Sequence, residues 1–330
     1  MKKIIVISNT VGREFSQSIK TTAVRYFKDF EVISLLTSHE CDYSRLIKKI
    51  SKVSKNIFVD LEKKQPLNLG NSLDQGGNLY NNILRSIRDE NLSDQVNLYP
   101  IKLNDITVDA TWKLLNSIYT DISGLSLGIL GTGNIGSKLI SCLTESGTRL
   151  KCYNRDINKA ISIINSILLT KPEQVIESPN IVRRIEHTIS NTAGLIVACS
   201  ELNVDLADYI HLMKNNFHIY LIGHAILKEE SLSKFINKGV SIRRIDVGKE
   251  LLSYIIGTLS VSEYNVYGKK SIKKNTICSG GYIGSENDLI VDDLNNPIWF
   301  YGCCNGKGGI DYGNTNDLYK SLDEIDNFFN

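Results

Sequence analysis

Between Leu125 and Lys159 the chain reads LSLGILGTGNIGSKLISCLTESGTRLKCYNRDINK, and this segment narrows the fold more than any other. An apolar strand pattern over 125–130 runs directly into Gly131, Gly133 and Gly136, spaced G-x-G-x-x-G, and then into a helical pattern. A second strand is expected at 149–153. In such a loop the first glycine permits the tight turn, the second lets the backbone approach a diphosphate, and the third lets helix and strand pack closely. The helix start adds free N–H groups and the positive end of the helix dipole. Strand, loop, helix and second strand in this order read as a dinucleotide-binding βαβ unit, with Gly131, Thr132, Gly133, Asn134, Ile135 and Gly136 as its loop. The alternative is a glycine turn in an α/β domain without a ligand.

The end of the second strand chooses between cofactors. A carboxylate there would accept hydrogen bonds from both hydroxyls of an adenosine ribose and repel a 2′-phosphate; this chain has Asn154 instead. Arg155 can pair with the phosphate and lie against the adenine, and Lys159 follows four residues on. The expectation is NADP(H) over NAD(H). Two alternatives stay open: a loop path that brings Asp156 to the ribose, and an Arg155 that is only a solvated surface charge. Further along, the apolar runs AGLIVAC and FHIYLIG read as buried parallel strands. Their carboxyl ends put Cys199 and Ser200 beside the expected cofactor and His224 where chemistry could occur, since ligands bind at that edge of such sheets.

The remaining pattern indicates an α/β fold with two domains, the second a Rossmann-type doubly wound parallel sheet. The chain's 330 residues suffice for two cores. In the first hundred, KIIVIS, FEVISLL and KNIFVDL read as strands, alternating with helical patterns around 15–28, 43–54 and 78–90. The expected organisation is an N-terminal α/β substrate domain over 1–104, a linking helix over 105–121, and a nucleotide domain over 122–258 with strands at 125–130, 149–153, 195–199, 217–222 and 240–245. The linking helix has Ile106, Ala110 and Leu114 on one face, with Ser117 as a further position. Residues 259–330 are glycine-rich and suggest β-hairpins, one turning at Asn295-Asn296-Pro297, that pack on the first domain or the cleft.

Composition excludes several classes. With 38 basic and 36 acidic side chains the net charge is +2, so nothing draws the chain to nucleic acid or a membrane surface. No apolar run approaches the ~20 residues of a bilayer span, and the short apolar run Ile4–Ile7 reads as a first strand rather than a leader. The seven cysteines form no C-x-x-C pair, and the five histidines have no zinc-ligand spacing. Reduced thiols, a cytoplasmic location and no metal are expected. The expected partner is a small-molecule substrate; self-association into a homo-oligomer stays open.

Taken together these residues resemble the two-domain amino-acid-dehydrogenase-like enzymes, and within them the shikimate dehydrogenases. The loop followed by Asn154-Arg155-Asp156 and Lys159 is similar to that family's NRT and basic residue, which implies NADP. Asn104-Asp105 is similar to its NTD, Ser16-Gln17-Ser18 to its S-x-S-P without the proline, and Lys63 or Lys64 to the lysine after its third strand. Gly77-Asn78 is similar to a substrate-binding Gly-x-x-Asn region. The layout resembles the family over about residues 1–258, and the C-terminal seventy or so residues do not follow it. The segment HIYLIGHAILKEESLSKFINKGVSIRRIDVG is also similar to D-2-hydroxyacid dehydrogenases, a likeness of Rossmann construction without that family's catalytic arginine and histidine.

The first resemblance implies hydride transfer to or from a small polar acid, hydroxy/keto or amino/imino, in the interdomain cleft. Lys63 or Lys64 with Asp105 would handle the proton, and Ser16, Ser18 and Asn78 would hold substrate. Lys102 and Asp109 are reserves, and Asp105 could instead be the N-cap of the linking helix. Two other functions compete: a nucleotide-binding protein without turnover, and an enzyme that retains NAD(P) for elimination or cyclisation.

Overall fold

The computed structural model describes residues 1–9, 19–27, 29–38, 41–62, 78–199, 201–223, 227–264, 267–272 and 275–312. The chain divides into two compact units, 1–252 and 253–330.

The first unit holds two sheets. The N-terminal one is built from β1 (Lys2–Asn9), β2 (Ile19–Thr21), β3 (Arg25–Phe27), β4 (Phe30–Thr37), α1 (Tyr43–Ile50), β5 (Asn56–Asp60), α2 (Leu79–Asp89) and β6 (Asn97–Ile101). Its order is β2-β4-β1-β5-β6, with β3 also on β4. Strands β4, β1, β5 and β6 are parallel, whereas β2 and β3 run antiparallel to β4. Ile4 to Ile7 are all buried, as a central strand covered on both faces requires. The helical pattern expected around 15–28 is corrected over its described part, 19–27, by β2 and β3: three-residue strands have little periodicity of their own, and pairing with β4 decides their state. The sequence reading also overlooked β6.

Helix α3 (Leu103–Ile118) leads into the second sheet. Its buried face is Ile106, Val108, Ala110, Thr111 and Leu115; Leu114 is only half-buried and Ser117 is exposed. There follow β7 (Ser126–Leu130), α4 (Asn134–Glu145), β8 (Arg149–Tyr153), α5 (Ile157–Thr170), β9 (Asn180–Ile181), α6 (Ile185–Ile189), β10 (Gly194–Val197), a 3₁₀ turn (Leu206–Leu212), β11 (His218–Leu221), α7 (Glu229–Lys238), β12 (Ser241–Arg244) and α8 (Gly248–Tyr264). The order is β12-β11-β10-β7-β8-β9, and every pairing is parallel. Read from the β9 edge and numbered within this sheet, that is 3-2-1-4-5-6, the Rossmann order.

Both faces of this sheet are covered. Leu127, Ile129, Leu150 and Ile196 pack under α3, α4 and α5. Leu130, Leu195, Val197 and Ile219 pack under α6, the 3₁₀ turn and α7. Strand order therefore reverses between β7 and β10, and a crevice opens beyond their carboxyl ends.

The second unit carries a sheet of β13 (Lys269–Ile272), β14 (Asn275–Ser279), β15 (Leu289–Val291), β16 (Phe300–Cys304) and β17 (Ile310–Asp311), neighbours in sequence order. Pairing is antiparallel as expected for hairpins, except that β14 and β15 are parallel. Asn295-Asn296-Pro297 lies between the antiparallel pair β15 and β16.

Candidate functional site: a nucleotide cleft at the strand reversal

The crevice beyond β7, β8 and β10 is a cavity of about 490 Å³, within the range of small-ligand sites. Gly131, Thr132 and Gly133 line one side, Asn154, Arg155 and Lys159 a second, and Cys199 with residues 201–204 a third.

The three glycines of the loop are there for three different reasons. Gly131 has φ of +100°, and a Cβ on it would lie 2.8 Å from the Ala198 carbonyl oxygen. A Cβ on Gly136 would lie 2.0 Å from the Gly131 carbonyl oxygen, so only glycine lets α4 close against the loop. Gly133 meets no such demand. Its φ of −70° suits any residue, and a Cβ on it would find nothing within 4 Å. The protein itself does not require a glycine there, whereas a diphosphate seated on the start of α4 would. Gly133 is also the N-cap residue of α4 and has no side chain to satisfy the N–H groups of the first turn.

The end of β8 is arranged around Asn154. Its Nδ2 donates to Thr132 Oγ1, tying the β8 loop to the glycine loop, while its Oδ1 accepts from the Asp156 N–H at 3.0 Å. Asp156 turns away: it is the N-cap of α5, its Oδ1 accepting from the Lys159 N–H at 3.0 Å, and it does not line the cavity. Arg155 and Lys159 are exposed, line the cavity and form no side-chain ion pair among the described residues. Burial pushes the Cys199 thiol pKa up, and the Arg155 charge only partly offsets this, so at neutral pH the group is a thiol. Glu201 lines the far side of the cavity.

A second polar cluster stands where the two sheets of the first unit meet. Glu62, just after β5, accepts from the Asn104 N–H at 2.6 Å and from Lys138 Nζ at 3.1 Å, with Asn134 Nδ2 at 3.3 Å. Lys138, on α4, also pairs with Asp105. Burial lowers the Lys138 pKa, but hydrogen bonds to Asp105 and Glu62 outweigh it and leave the pKa raised. Asp105 is not the N-cap of α3: that position is Lys102, which makes no side-chain cap bond, and Asp105 lies in the first turn. The start of α3 is instead capped from another element by Glu62.

No family model matches the chain, and no curated relative matches it in sequence. Its fold is similar to shikimate dehydrogenase from Aquifex aeolicus, at 15% identity over 79% of this chain and 91% of that one, with a TM-score of 0.43. It is also similar to L-tryptophan dehydrogenase from Nostoc punctiforme, at 12% identity, 65% and 57% coverage and a TM-score of 0.40. The chain thus spans little more than half of that enzyme. D-mandelate dehydrogenase from Rhodotorula graminis aligns at 13% identity over 76% of this chain and 85% of its own, with a TM-score of 0.35. Strand order carries the fold assignment without them: two α/β sheets, the second in the Rossmann order.

Several expected site residues, Ser16, Ser18, Lys63, Lys64, Ser200 and His224, lie outside the described residues, as does Gly77. Asn78 is described and occupied locally. It caps α2 by accepting from the Tyr80 N–H at 2.8 Å and donates to the Leu61 carbonyl at 2.8 Å, so it ties α2 to the end of β5. Of the reserve residues, Lys102 stands 3.9 Å from Asp105, and burial with nearby Glu250 raises the Asp109 pKa. Sequence reasoning missed Lys138 and Glu62. Each is an ordinary surface-type residue in its own segment, and only the fold brings together partners 33 and 76 positions from Lys138.

Proposed function

We propose that this chain is an NADP(H)-dependent oxidoreductase that moves hydride to or from a small polar acid. One observation carries the cofactor part: the open space over Gly133 is flanked by two uncommitted cations, Arg155 and Lys159, and the nearest acid at the end of β8 is committed to capping α5. The N–H groups at the start of α4 would hold the diphosphate, and Arg155 with Lys159 the 2′-phosphate. When bound, the cofactor would supply hydride transfer at its nicotinamide. Asp105 and Lys138, at the junction of the two sheets, form the polar group through which the chain would orient substrate and manage the accompanying proton. Lys63 or Lys64 stays the proposed proton donor and His224 a further candidate, with Ser16 and Ser18 proposed for a substrate carboxylate. A cytoplasmic location remains part of this proposal.

The cofactor assignment is tested by binding. Wild-type protein should hold NADPH more tightly than NADH, and Arg155→Ala should weaken NADPH alone, by roughly 10- to 100-fold for a lost charged hydrogen bond of ~1.5–3 kcal/mol. Equal wild-type affinities would remove the assignment. Turnover is tested by cofactor absorbance with hydroxy, keto and amino acids. Asp105→Asn should abolish turnover and leave NADPH affinity unchanged; a variant that still turns over would exclude Asp105 from the chemistry.

A further inference from the structure

The second unit contains a pair of thiols that none of the preceding chemistry uses. Cys278 on β14 and Cys304 on β16 have their Sγ atoms 3.3 Å apart. The two strands are not hydrogen-bonded neighbours, since β15 runs between them. Both cysteines are buried, within a small cluster that includes Ile290 of β15 and Tyr282. Gly284 lies against Cys304: a Cβ on it would come within 2.6 Å of Cys304 Sγ. Cys303, next in sequence, sits opposite Asp311 in the β16–β17 pairing, and alternation along a strand sends its side chain to the other face.

We propose that Cys278 and Cys304 are a disulfide-forming pair, a covalent modification site that locks β14 to β16 across β15. The separation of 3.3 Å has to close to the ~2.05 Å of an S–S bond. The reaction takes two hydrogens from the thiols and needs an acceptor, which here is a small-molecule disulfide. One cysteine, as thiolate, attacks it, forming a mixed disulfide and releasing one small thiol. The second cysteine then attacks the sulfur of the first, forming Cys278–Cys304 and releasing the second small thiol. Burial is the main reason the Cys278 pKa is raised, so its own thiolate is scarce at neutral pH.

The test uses the full-length protein incubated with oxidised glutathione, then alkylated in denaturant and mapped by mass spectrometry. The expected product has two fewer alkylatable thiols than the seven of the reduced chain, no bound glutathione, and a cross-linked peptide joining Cys278 to Cys304. Its unfolding midpoint in urea should exceed that of the reduced protein, and Cys304→Ala should erase the difference between the two treatments. A cross-link between Cys303 and Cys304, glutathione retained on a single cysteine, or seven free thiols after prolonged oxidation would each overturn the proposal. The mapping needs only wild-type protein, so it stands even if Cys304→Ala folds poorly.

Discussion

Gly133→Asn should lose dinucleotide binding and keep its stability, whereas Gly136→Ala should lose stability. The two residues share one loop and one motif, yet the space around them differs. A side chain at 133 meets no protein atom within 4 Å, the backbone there is already extended with φ of −70°, and asparagine is among the best N-cap residues. Its amide oxygen would take the N–H groups that a diphosphate needs and its bulk would occupy the same space. Thermal stability should therefore stay level or rise slightly while NADPH affinity falls roughly 100-fold, the ~2.7 kcal/mol of one or two lost charged hydrogen bonds. At 136 a methyl would sit 2.0 Å from the Gly131 carbonyl oxygen, which belongs to a backbone that cannot swing aside. Alanine's helix propensity favours it by ~1 kcal/mol, but overpacking costs about 1–3 kcal/mol and more against rigid backbone. Urea unfolding and NADPH titration of the two variants separate these outcomes. A Gly133→Asn protein that binds normally would mean that no diphosphate rests on this loop.

This contrast also shows what the amino-acid pattern could and could not convey. The glycine loop, β7, α4 and β8 were legible because each is a local pattern with a local cause: apolar strand, turn glycine, helix period. β10 and β11 lay within a residue or two of their expected bounds because buried parallel strands are apolar runs, and β12 did so too although it is a partly exposed edge strand. β9 has only two residues, Asn180 and Ile181, and no pattern can announce a strand that short. Asn154 and Arg155 could be picked out at the end of β8, but the role of Asp156 as the N-cap of α5 could not. Whether that carboxylate faces a ribose or caps α5 depends on the backbone path between them. The Glu62–Lys138–Asp105 cluster was hidden for the same reason on a larger scale, since it joins β5, α4 and α3. Reading Asp105 as a helix cap failed by three residues: the N-cap is Lys102 and α3 starts at Leu103, which puts the capping oxygen on a distant glutamate rather than on the nearest aspartate.

Lys138→Met should lower the stability of the first unit, and the cause should be Glu62 more than Asp105. Asp105 is 41% exposed, keeps water as a partner and has Lys102 at 3.9 Å, so losing one cation costs it little. Glu62 has a side chain only 13% exposed. Without Lys138 its carboxylate would retain the Asn104 N–H and Asn134 Nδ2 but no cation among the described residues. Leaving a largely buried charge short of partners costs about 1–3 kcal/mol, read as a lower urea midpoint at neutral pH. Adding Glu62→Gln should recover part of the loss, because glutamine can still accept the Asn104 N–H and brings no charge. A double-mutant cycle then gives the coupling directly. The pH dependence has a definite sign. Lys138 has its pKa raised in the folded protein, so its contribution is complete below the ordinary lysine pKa and disappears only as pH rises through the higher value. The gap between wild type and Lys138→Met should thus stay constant through the neutral range and close only in strongly alkaline solution. A gap that closed near neutrality, or a cycle with no coupling, would mean that Lys138 does not hold the two sheets through Glu62.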